Sequence, residues 1–212
     1  MNLKIEKVKE SRINQIDFSK LSFGKTFADH MFICEYKDGQ WQNPTIKPYA
    51  PITLEPSASV FHYGQAVFEG MKAYKDDNGH VFLFRPQENY KRINKSCSRL
   101  AMPEFPEEWF DKALRTLVDI DSEWIKPGFG NALYLRPFMI ATTAGVQAAP
   151  AKNYLFMIIT APVQAYYKGD VKVKIADYYS RAANGGFGFA KAAGNYAGQF
   201  FPTQEAANEG YQ

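Results

Sequence analysis

The sequence predicts an α+β fold, and three observations favour this class. Two strand pairs around short turns occupy the first part of the chain, two amphipathic helices follow, and two long apolar segments rich in β-formers come after them. Strands and helices mix without the regular strand-helix-strand rhythm that builds a doubly wound parallel sheet. The chain has 212 residues and is 46% hydrophobic, which is enough for a substantial core in one large domain or slightly more.

Two hairpins are expected before residue 85. Residues 26–36 and the segment from Trp41 onward flank the turn Lys-Asp-Gly-Gln, and an Asp-Gly pair between apolar runs is a strong hairpin signal. Residues 71–75 and 80–84 are predicted to pair in the same way across a turn that ends in Asn-Gly.

Two helices are predicted next. Pro86 is placed to begin a helix that runs to about Leu100, because proline lacks the N–H that a first-turn residue would leave unpaired. Pro106 begins a second pattern, in which apolar residues recur at helical spacing as far as Trp124. The two glutamates directly after Pro106 suit the positive end of this helix.

The remaining segments predict three strands and one helix. Residues 132–142 and 153–163 are apolar and rich in β-formers, and the second is expected to be buried on both faces. Residues 171–175 alternate valine or isoleucine with lysine, which is typical of a strand with one solvated face. Residues 195–209 are predicted to be helical, with Pro202 kinking or splitting the helix.

Composition and charge argue against several classes of protein. The formal net charge is +3 and no block of lysine or arginine occurs, so a nucleic-acid partner gains little support. The N-terminus lacks the hydrophobic region of a signal peptide, and the longest apolar run is too short to cross a bilayer. With a mean hydropathy of −0.37, the chain is expected to be soluble and cytoplasmic, without a membrane partner.

The cysteines and histidines indicate neither a disulfide scaffold nor a metal site. Cys34 and Cys97 lie far apart without C-x-x-C spacing, and are expected to be reduced core thiols. His30, His62 and His80 lack the spacing of metal ligands and are interpreted as structural.

One lysine lies in a run of small residues. Residues 185–198 read GGFGFAKAAGNYAG, in which the lysine is Lys191. Small residues let a flat group approach the backbone, and a partly dry site favours the neutral, nucleophilic amine that Schiff-base chemistry requires. Pyridoxal phosphate is the usual partner of such a lysine. The same residues would suit a surface loop with a solvated lysine, whereas Ala192 and the missing third glycine argue against a nucleotide-binding loop.

Five sequence blocks occur in an order that carries a family resemblance. They are FGKTFADHM at 23–31, HYG through FEGMKA at 62–73, LFRP at 83–86, LYLRP at 133–137, and the motif GGxGxxKxxGNY that contains Lys191. Together they resemble the branched-chain amino-acid aminotransferases, the fold-type-IV pyridoxal-phosphate enzymes, and they extend over nearly the whole chain from Phe23 to Gln212.

The resemblance implies a domain organisation. A small N-terminal α/β domain with an N-terminal extension would occupy residues 1–163, a linker would follow at 164–170, and the large cofactor-binding domain would start at 171–212. The match stops at Gln212, before the part of the family's fold that supplies the carboxylate opposite the pyridine nitrogen. The large domain is therefore expected to be incomplete, with the chain truncated after the lysine motif.

The resemblance also assigns the cofactor-binding residues. Lys191 would form the Schiff base with pyridoxal 5′-phosphate and carry the proton as general base and then general acid. Arg92 and Arg181 would bind the cofactor phosphate, for which a planar guanidinium fork is suited. Tyr196 would hydrogen-bond the phenolic oxygen of the cofactor.

A second group of residues would bind the substrate. Tyr134 and Arg136 are two apart on a predicted strand, so they share one face and suggest a polar wall in a pocket. The resemblance places there the second carboxylate of 2-oxoglutarate or glutamate. Aromatic residues would form the apolar walls of the same pocket. They are Tyr63, Phe68, Tyr166 and, as a further candidate, Phe27.

The implied function is reversible amino transfer from leucine, isoleucine or valine to 2-oxoglutarate, which yields branched 2-oxo acids and glutamate. The family further implies a homodimer in which the loop of residues 145–147 lies near the partner's site. Two alternatives remain open: another fold-type-IV enzyme, such as a D-amino-acid aminotransferase or an aminodeoxychorismate lyase, and a non-catalytic truncated domain that only self-associates or binds a partner.

Overall fold

A computed structural model describes residues 2–165 and 169–211, and within them the chain forms eight strands and five α-helices. The strands are β1 (Lys4–Ile5), β2 (His30–Lys37), β3 (Gln40–Pro48), β4 (Ala66–Phe68), β5 (Met71–Lys75), β6 (Val81–Leu83), β7 (Ala132–Ala141) and β8 (Tyr154–Val163). The helices are α1 (Ser59–Tyr63), α2 (Pro86–Arg99), α3 (Glu107–Ile120), α4 (Gly194–Ala197) and α5 (Phe200–Asn208). Short 3-10 helices occur at Ile13–Gln15, Phe18–Lys20 and Ser122–Trp124.

All eight strands belong to one sheet of order β1-β3-β2-β8-β7-β5-β6, and β4 pairs with β7 outside that path. Strand β1 runs parallel to β3, and the other pairings are antiparallel. Both predicted hairpins are confirmed, as β2–β3 and β5–β6. The first reverses at Asp38 and Gly39, which both have positive φ, as the tight turn of a twisted hairpin requires.

Strand β7 separates the core from the open side of the sheet. Its residues alternate between buried and half-buried along the whole strand. The buried set includes Leu133, Leu135 and Met139, which are fully inaccessible to solvent. Because successive side chains of a strand point to opposite faces, the intervening residues Tyr134 and Arg136 lie together on the open side. The two long strands predicted from apolar composition are confirmed as β7 and β8.

Helices α2 and α3 cover the buried side of the sheet. Helix α3 contacts β2 and α2, and α2 also contacts β4. Both helices were expected from their proline starts and apolar spacing, and both are confirmed. Pro86 occupies the first turn of α2, where its missing N–H leaves no hydrogen bond unmade.

Aromatic rings fill the centre of the core. Phe105 and Phe156 stack with their centroids 3.9 Å apart and their planes 7° from parallel. Phe32 meets both of them edge-on. Cys34 and Cys97 are buried and free, as predicted, and burial raises the pKa of each thiol to about 12. Thiols with such high pKa values are unreactive at neutral pH.

A buried polar cluster fastens the N-terminal extension to this core. The Asp29 carboxylate accepts hydrogen bonds from the Ser11 hydroxyl, the Arg12 amide and the Trp124 indole. His30 Nε2 accepts the Val8 amide at 3.0 Å, and Nδ1 lies 2.7 Å from an Asp121 carboxylate oxygen. Because Nε2 acts as an acceptor, we assign the ring proton to Nδ1, which donates to Asp121. The structural interpretation of His30 is consistent with this arrangement.

The chain after residue 169 differs from two predictions. Residues 171–175 are not a strand, and their valine and isoleucine side chains are exposed. Alternation is a local pattern, whereas a strand also needs a neighbouring edge, and no described strand pairs with this segment. The predicted helix is split, but between α4 and α5 at Gly198 and Gln199 rather than at Pro202. Pro202 lies in the first turn of α5, where proline is tolerated.

The domain boundaries stay a prediction. The proposed linker at 164–170 includes residues 166–168, which lie outside the described part of the chain. Within the described residues, no helix combines the length and apolar character needed to cross a membrane. The same ranges contain no group of three or more His, Cys, Asp or Glu side chains arranged to hold a metal ion.

Candidate active site

A cavity of about 760 Å³ opens on the face of the sheet opposite the core. Strand β7 supplies one wall through the side chains that alternate away from the core, β4 supplies the second, and residues 191–196 supply the third. The lining side chains include Phe68, Arg92, Tyr134, Arg136, Lys191 and Tyr196. The cavity therefore combines apolar surface with an amine, two guanidinium groups and two phenol hydroxyls.

The backbone of Lys191 is held from both sides. Its amide donates to the Ser96 hydroxyl at 2.9 Å, and its carbonyl accepts the Phe68 amide at 3.0 Å. Next along the chain, Ala192 pairs with Val67 in an antiparallel bridge and the Ala193 amide donates to the Ala66 carbonyl at 2.9 Å. The lysine segment thus lies along the free edge of β4.

The Lys191 amine lies inside the cavity. Its Nζ is 2.8 Å from the Tyr196 hydroxyl and 4.6 Å from the centroid of the Phe68 ring. Tyr196 follows one short turn later because α4 begins at Gly194, and the Asn195 side chain caps this turn by donating to the Phe187 and Ala190 carbonyls. The spacing of lysine and tyrosine in the sequence therefore becomes a direct contact.

Glycine at position 188 is required by close packing within the lysine segment. A Cβ added there would lie 2.3 Å from the Cβ of Ala182. Such a separation is far below a van der Waals contact, so a larger residue would push the preceding chain away from the segment.

Tyr134 and Arg136 form a hydrogen-bonded pair on the β7 wall. Arg136 Nε and Nη2 donate to the Tyr134 hydroxyl at 3.1 and 2.9 Å. The Arg136 guanidinium also lies 4.5 Å from the centroid of the Phe68 ring, within range of a cation–π attraction. Gly70 is the close neighbour of this pair, because a Cβ there would lie 2.3 Å from the Tyr134 hydroxyl.

Arg92 lies at the edge of the cavity and is bound to a buried acid. Its Nε and Nη2 donate to the two carboxylate oxygens of Glu69, the second at 2.7 Å. Glu69 is completely buried, whereas about half of the Arg92 side chain is exposed. The hydrogen bond to Glu69 raises the pKa of the Arg92 guanidinium, which therefore stays charged.

The other predicted site residues lie outside this cluster or at its border. Arg181 is not on the cavity wall, but its guanidinium lies 5.6 Å from the Tyr196 ring centroid. Tyr63 is 45% exposed on α1 and donates to the Val146 carbonyl. Phe27 stacks on Tyr49 with centroids 4.8 Å apart, and neither it nor Tyr63 is part of the described wall. Tyr166 lies outside the described residues.

Four residues with a place in this arrangement were not among the predicted site residues. Glu69 binds Arg92, Ser96 binds the Lys191 backbone, Gly70 makes room for Tyr134, and Phe23 meets the Tyr134 ring edge-on at 5.0 Å. One signal was available for Ser96, because it lies four residues after Arg92 and so shares its helix face. The others depend on contacts between distant parts of the chain.

Comparison with known proteins places this arrangement in a family. The family model described as amino-transferase class IV matches residues 66–212. The branched-chain-amino-acid transaminase 1 of Bacillus subtilis is 49% identical over 200 residues, which are 92% of this chain and 56% of that protein. The probable branched-chain-amino-acid aminotransferase of Staphylococcus epidermidis is 45% identical over 214 residues, which are 99% of this chain and 59% of that protein.

Solved structures show the same fold. A branched-chain aminotransferase from Thermoproteus uzoniensis aligns over 86% of this chain and 58% of its own, with a TM-score of 0.66 and 21% identity. The branched-chain amino acid aminotransferase of Escherichia coli aligns over 87% of this chain and 58% of its own, with a TM-score of 0.59 and 20% identity. The chain spans somewhat more than half the length of these relatives, and its mixed α+β fold is that of the fold-type-IV aminotransferases. It belongs to the class IV amino-transferase family.

Proposed function

We propose that the whole protein is a pyridoxal-phosphate-dependent transaminase that exchanges the amino group between leucine, isoleucine or valine and 2-oxoglutarate. The observation that carries this proposal is the Lys191 amine, which lies in a cavity beside a tyrosine hydroxyl while hydrogen bonds hold its backbone on both sides. The relatives that are 44–49% identical and bear the branched-chain name support the substrate class.

The donor groups of the cavity fit a phosphorylated aromatic aldehyde. An amine can hold the aldehyde covalently, a phenol hydroxyl can hydrogen-bond a ring oxygen, and a guanidinium can bind a phosphate. Lys191, Tyr196 and Arg92 supply these three groups around one cavity, and Arg181 would add a second cation near Tyr196. Branched-chain amino acid aminotransferases of similar fold were solved with N-(5′-phosphopyridoxyl)-L-glutamate and with pyridoxamine 5′-phosphate, which supports the same cofactor here.

Pyridoxal phosphate, when bound, withdraws electrons from the α-carbon of an attached amino acid and so makes its α-hydrogen acidic. The residues of this chain would then manage the proton. Lys191 Nζ is the basic atom of the cavity that can accept the α-proton and return it. The Tyr196 hydroxyl at 2.8 Å restricts where that nitrogen can point, and the Ser96 and Phe68 contacts fix the backbone from which the lysine extends.

Both substrates would use the same side of the cavity. A branched side chain would lie on the apolar surface of Phe68, Phe138 and Ile140, from which it displaces water. The second carboxylate of glutamate or 2-oxoglutarate would bind the Arg136–Tyr134 pair, whose donors the branched substrate leaves unused. Tyr63, Phe27 and Tyr166 stay proposed parts of this pocket, as the family resemblance implies.

The proposed working unit is a cytoplasmic homodimer, with the loop of residues 145–147 near the partner's site. This loop is tied to α1 because the Tyr63 hydroxyl donates to the Val146 carbonyl. Phe61 on α1 and Val146 on the loop are 63% and 67% exposed, and apolar side chains of that exposure suit an interface. Light scattering that finds a monomer at assay concentration would contradict this part of the proposal.

The central experiment is to trap the cofactor on the protein. We expect borohydride reduction after incubation with pyridoxal phosphate to add one pyridoxyl group, mapped by mass spectrometry to Lys191. Lys191→Ala should lose the adduct and the transaminase activity. Lys95→Ala is the matched control and should keep both, since Lys95 lies on α2 with its amine over the Phe189 ring, outside the cavity wall.

Two further outcomes separate the alternative functions. Transamination of D-alanine in preference to L-leucine would overturn the branched-chain substrate and favour another member of the family. Labelling scattered over several lysines, with no activity in either enantiomer, would instead favour a domain that does not catalyse a reaction.

A further inference from the structure

Glu69 is a fully buried acid in direct contact with the candidate cofactor site. It follows β4, and its amide donates to the Pro137 carbonyl at 2.7 Å. Its carboxylate accepts four hydrogen bonds, from Nε and Nη2 of Arg92, from the Asn89 side chain at 2.8 Å and from the Gly70 amide at 3.1 Å. A buried carboxylate is tolerated only when its charge and lone pairs are matched in this way.

The contact with Arg92 fixes a side chain that would otherwise be mobile. About half of the Arg92 side chain is exposed, and a free arginine of that exposure can adopt many rotamers. The two-pronged bond to Glu69 occupies the Nε edge of the guanidinium and sets the plane of the group. The remaining donors, on Nη1 and the outer side of Nη2, are then left at the edge of the cavity.

We propose that Glu69 is a positioning residue, which acts through Arg92 to prepare the site for the phosphate of the cofactor. This inference rests on the proposed function, because it needs a phosphate-bearing ligand in the cavity. Asn89 supports the same carboxylate from the other side, through its bond to Glu69 Oε2. A prepared arginine loses less rotamer freedom when the ligand arrives, so the affinity for phosphate is higher.

A purely structural role for Glu69 makes a different prediction. If the ion pair only neutralised a charge inside the fold, its loss would destabilise the protein and weaken all cavity ligands alike. If Glu69 acts through Arg92, its loss should weaken only ligands that carry a phosphate. Pyridoxal 5′-phosphate and pyridoxal differ in that group alone, so the ratio of their dissociation constants distinguishes the two roles.

The test is a titration of the purified protein with both ligands, monitored by the absorbance of the bound ring. We expect Glu69→Gln to weaken pyridoxal 5′-phosphate binding by about ten- to a hundredfold, as loss of a residue that orients a ligand-binding side chain does at metal sites. Pyridoxal binding should stay unchanged. Glu88→Gln is the matched control, because Glu88 is an exposed glutamate at the start of α2 that pairs with Lys91, and it should leave both constants unchanged.

A double-mutant cycle tests that the effect passes through Arg92. Arg92→Gln should itself weaken pyridoxal 5′-phosphate, and adding Glu69→Gln to it should cause no further loss. Asn89→Ala keeps the ion pair and removes one donor, so it should cause a smaller loss of the same kind even if Glu69→Gln does not fold.

Three results would overturn the inference. Equal weakening of both ligands in Glu69→Gln would favour the structural role, and additive losses in the cycle would show an effect that does not pass through Arg92. An unchanged ratio in every foldable variant of Glu69 and Asn89 would also exclude positioning. By contrast, a wild-type protein that binds neither ligand would refute the proposed function itself, and the inference with it.

Discussion

The chain up to residue 163 and the chain from 169 to 211 are held in place by different means. The first contains the aromatic core, in which Phe32, Phe105 and Phe156 are at most 1% exposed. In the second, only Ala190, Ala192 and Asn195 are buried. The exposed apolar side chains of that second part are Val171, Val173, Ile175, Tyr178, Tyr179, Phe187, Phe189, Phe200 and Phe201.

The candidate active site lies at the junction of these two regions. Its walls belong to the sheet, where burial of apolar area fixes the side chains, while its lysine belongs to the second region, where a few hydrogen bonds fix the backbone. The difference teaches that the stability of the fold and the geometry of the site depend on separate interactions. Changes in the core should affect global unfolding, and changes at residues 190–195 should affect the site first.

The largest expected effect is in the core. Phe156→Ala removes a fully buried ring stacked on Phe105, and we expect it to lower the free energy of unfolding by about 3–5 kcal/mol. The matched change in the second region, Phe201→Ala, removes a ring that is 59% exposed and should stay within about 0.5 kcal/mol. Urea denaturation measures both, and equal losses would contradict the contrast between the regions.

The next effect tests the hydrogen bonds that hold the lysine segment. Ser96 is 1% exposed and accepts the Lys191 amide, so Ser96→Ala leaves that amide unpaired at a cost of about 1–3 kcal/mol. We expect the loss to appear as local opening, seen by hydrogen exchange as faster exchange in peptides covering residues 187–196 with β7 and β8 unchanged.

Ser98→Ala is the control for this change. Ser98 is exposed on the same helix and makes the same kind of bond to the carbonyl four residues back, but it does not touch the lysine segment. It should leave exchange in both regions unaltered. Faster exchange of β7 and β8 in Ser96→Ala would show that the two regions open together as one unit.

A third effect concerns the wall of the cavity. In Gly70→Ala the new Cβ would lie 2.3 Å from the Tyr134 hydroxyl, so Tyr134 must move away from Arg136. We expect the KM for 2-oxoglutarate to rise about tenfold, because a small misplacement of a binding group is costly. The KM for leucine should change less.

Gly194→Ala is the matched control, since no atom lies within 4 Å of the position that its Cβ would take. It should keep both KM values and stabilise the protein by about 0.4–1 kcal/mol. An equal rise of both KM values in Gly70→Ala would argue against a separate carboxylate site at Arg136 and Tyr134.

Local patterns predicted most of the fold and the location of two parts of the site. Turn residues and apolar spacing indicated both hairpins, α2 and α3, and the period of two placed Tyr134 and Arg136 on one face of β7. Such signals depend on neighbours in the sequence. The strand predicted at 171–175 was wrong for the same reason, because its alternation says nothing about a partner edge.

The rest of the site depends on contacts between residues far apart in the chain. Glu69 meets Arg92 across 23 positions and Ser96 meets Lys191 across 95, and no local periodicity encodes either pairing. The sequence motifs identified which residues carry reactive groups. The groups that hold them in place became visible only when the sheet and α2 were brought together.

The smallest expected effect is a pH dependence confined to the first region. Burial alone would raise the pKa of Asp29, but hydrogen bonds from Ser11, Arg12 and Trp124 together outweigh it and hold the pKa below its usual value. Between the lowered folded pKa and the unfolded value of about 3.9, the unfolded chain binds more protons, so stability rises with pH there. This contribution is complete above the unfolded pKa and is lost as the pH falls through the folded one.

Asp29→Asn removes this contribution, so the difference in unfolding free energy between wild type and variant should shrink as the pH is lowered from about 6 to 3, by on the order of 1 kcal/mol. Asp121, whose pKa is raised first by burial, remains in both proteins and contributes with the opposite sign. Glu209→Gln is the control in the second region, because Glu209 pairs with Lys174 at the exposed surface and such a pair contributes little. A difference between wild type and Asp29→Asn that stays constant with pH would show that Asp29 fastens the N-terminal extension by shape and hydrogen bonding without its charge.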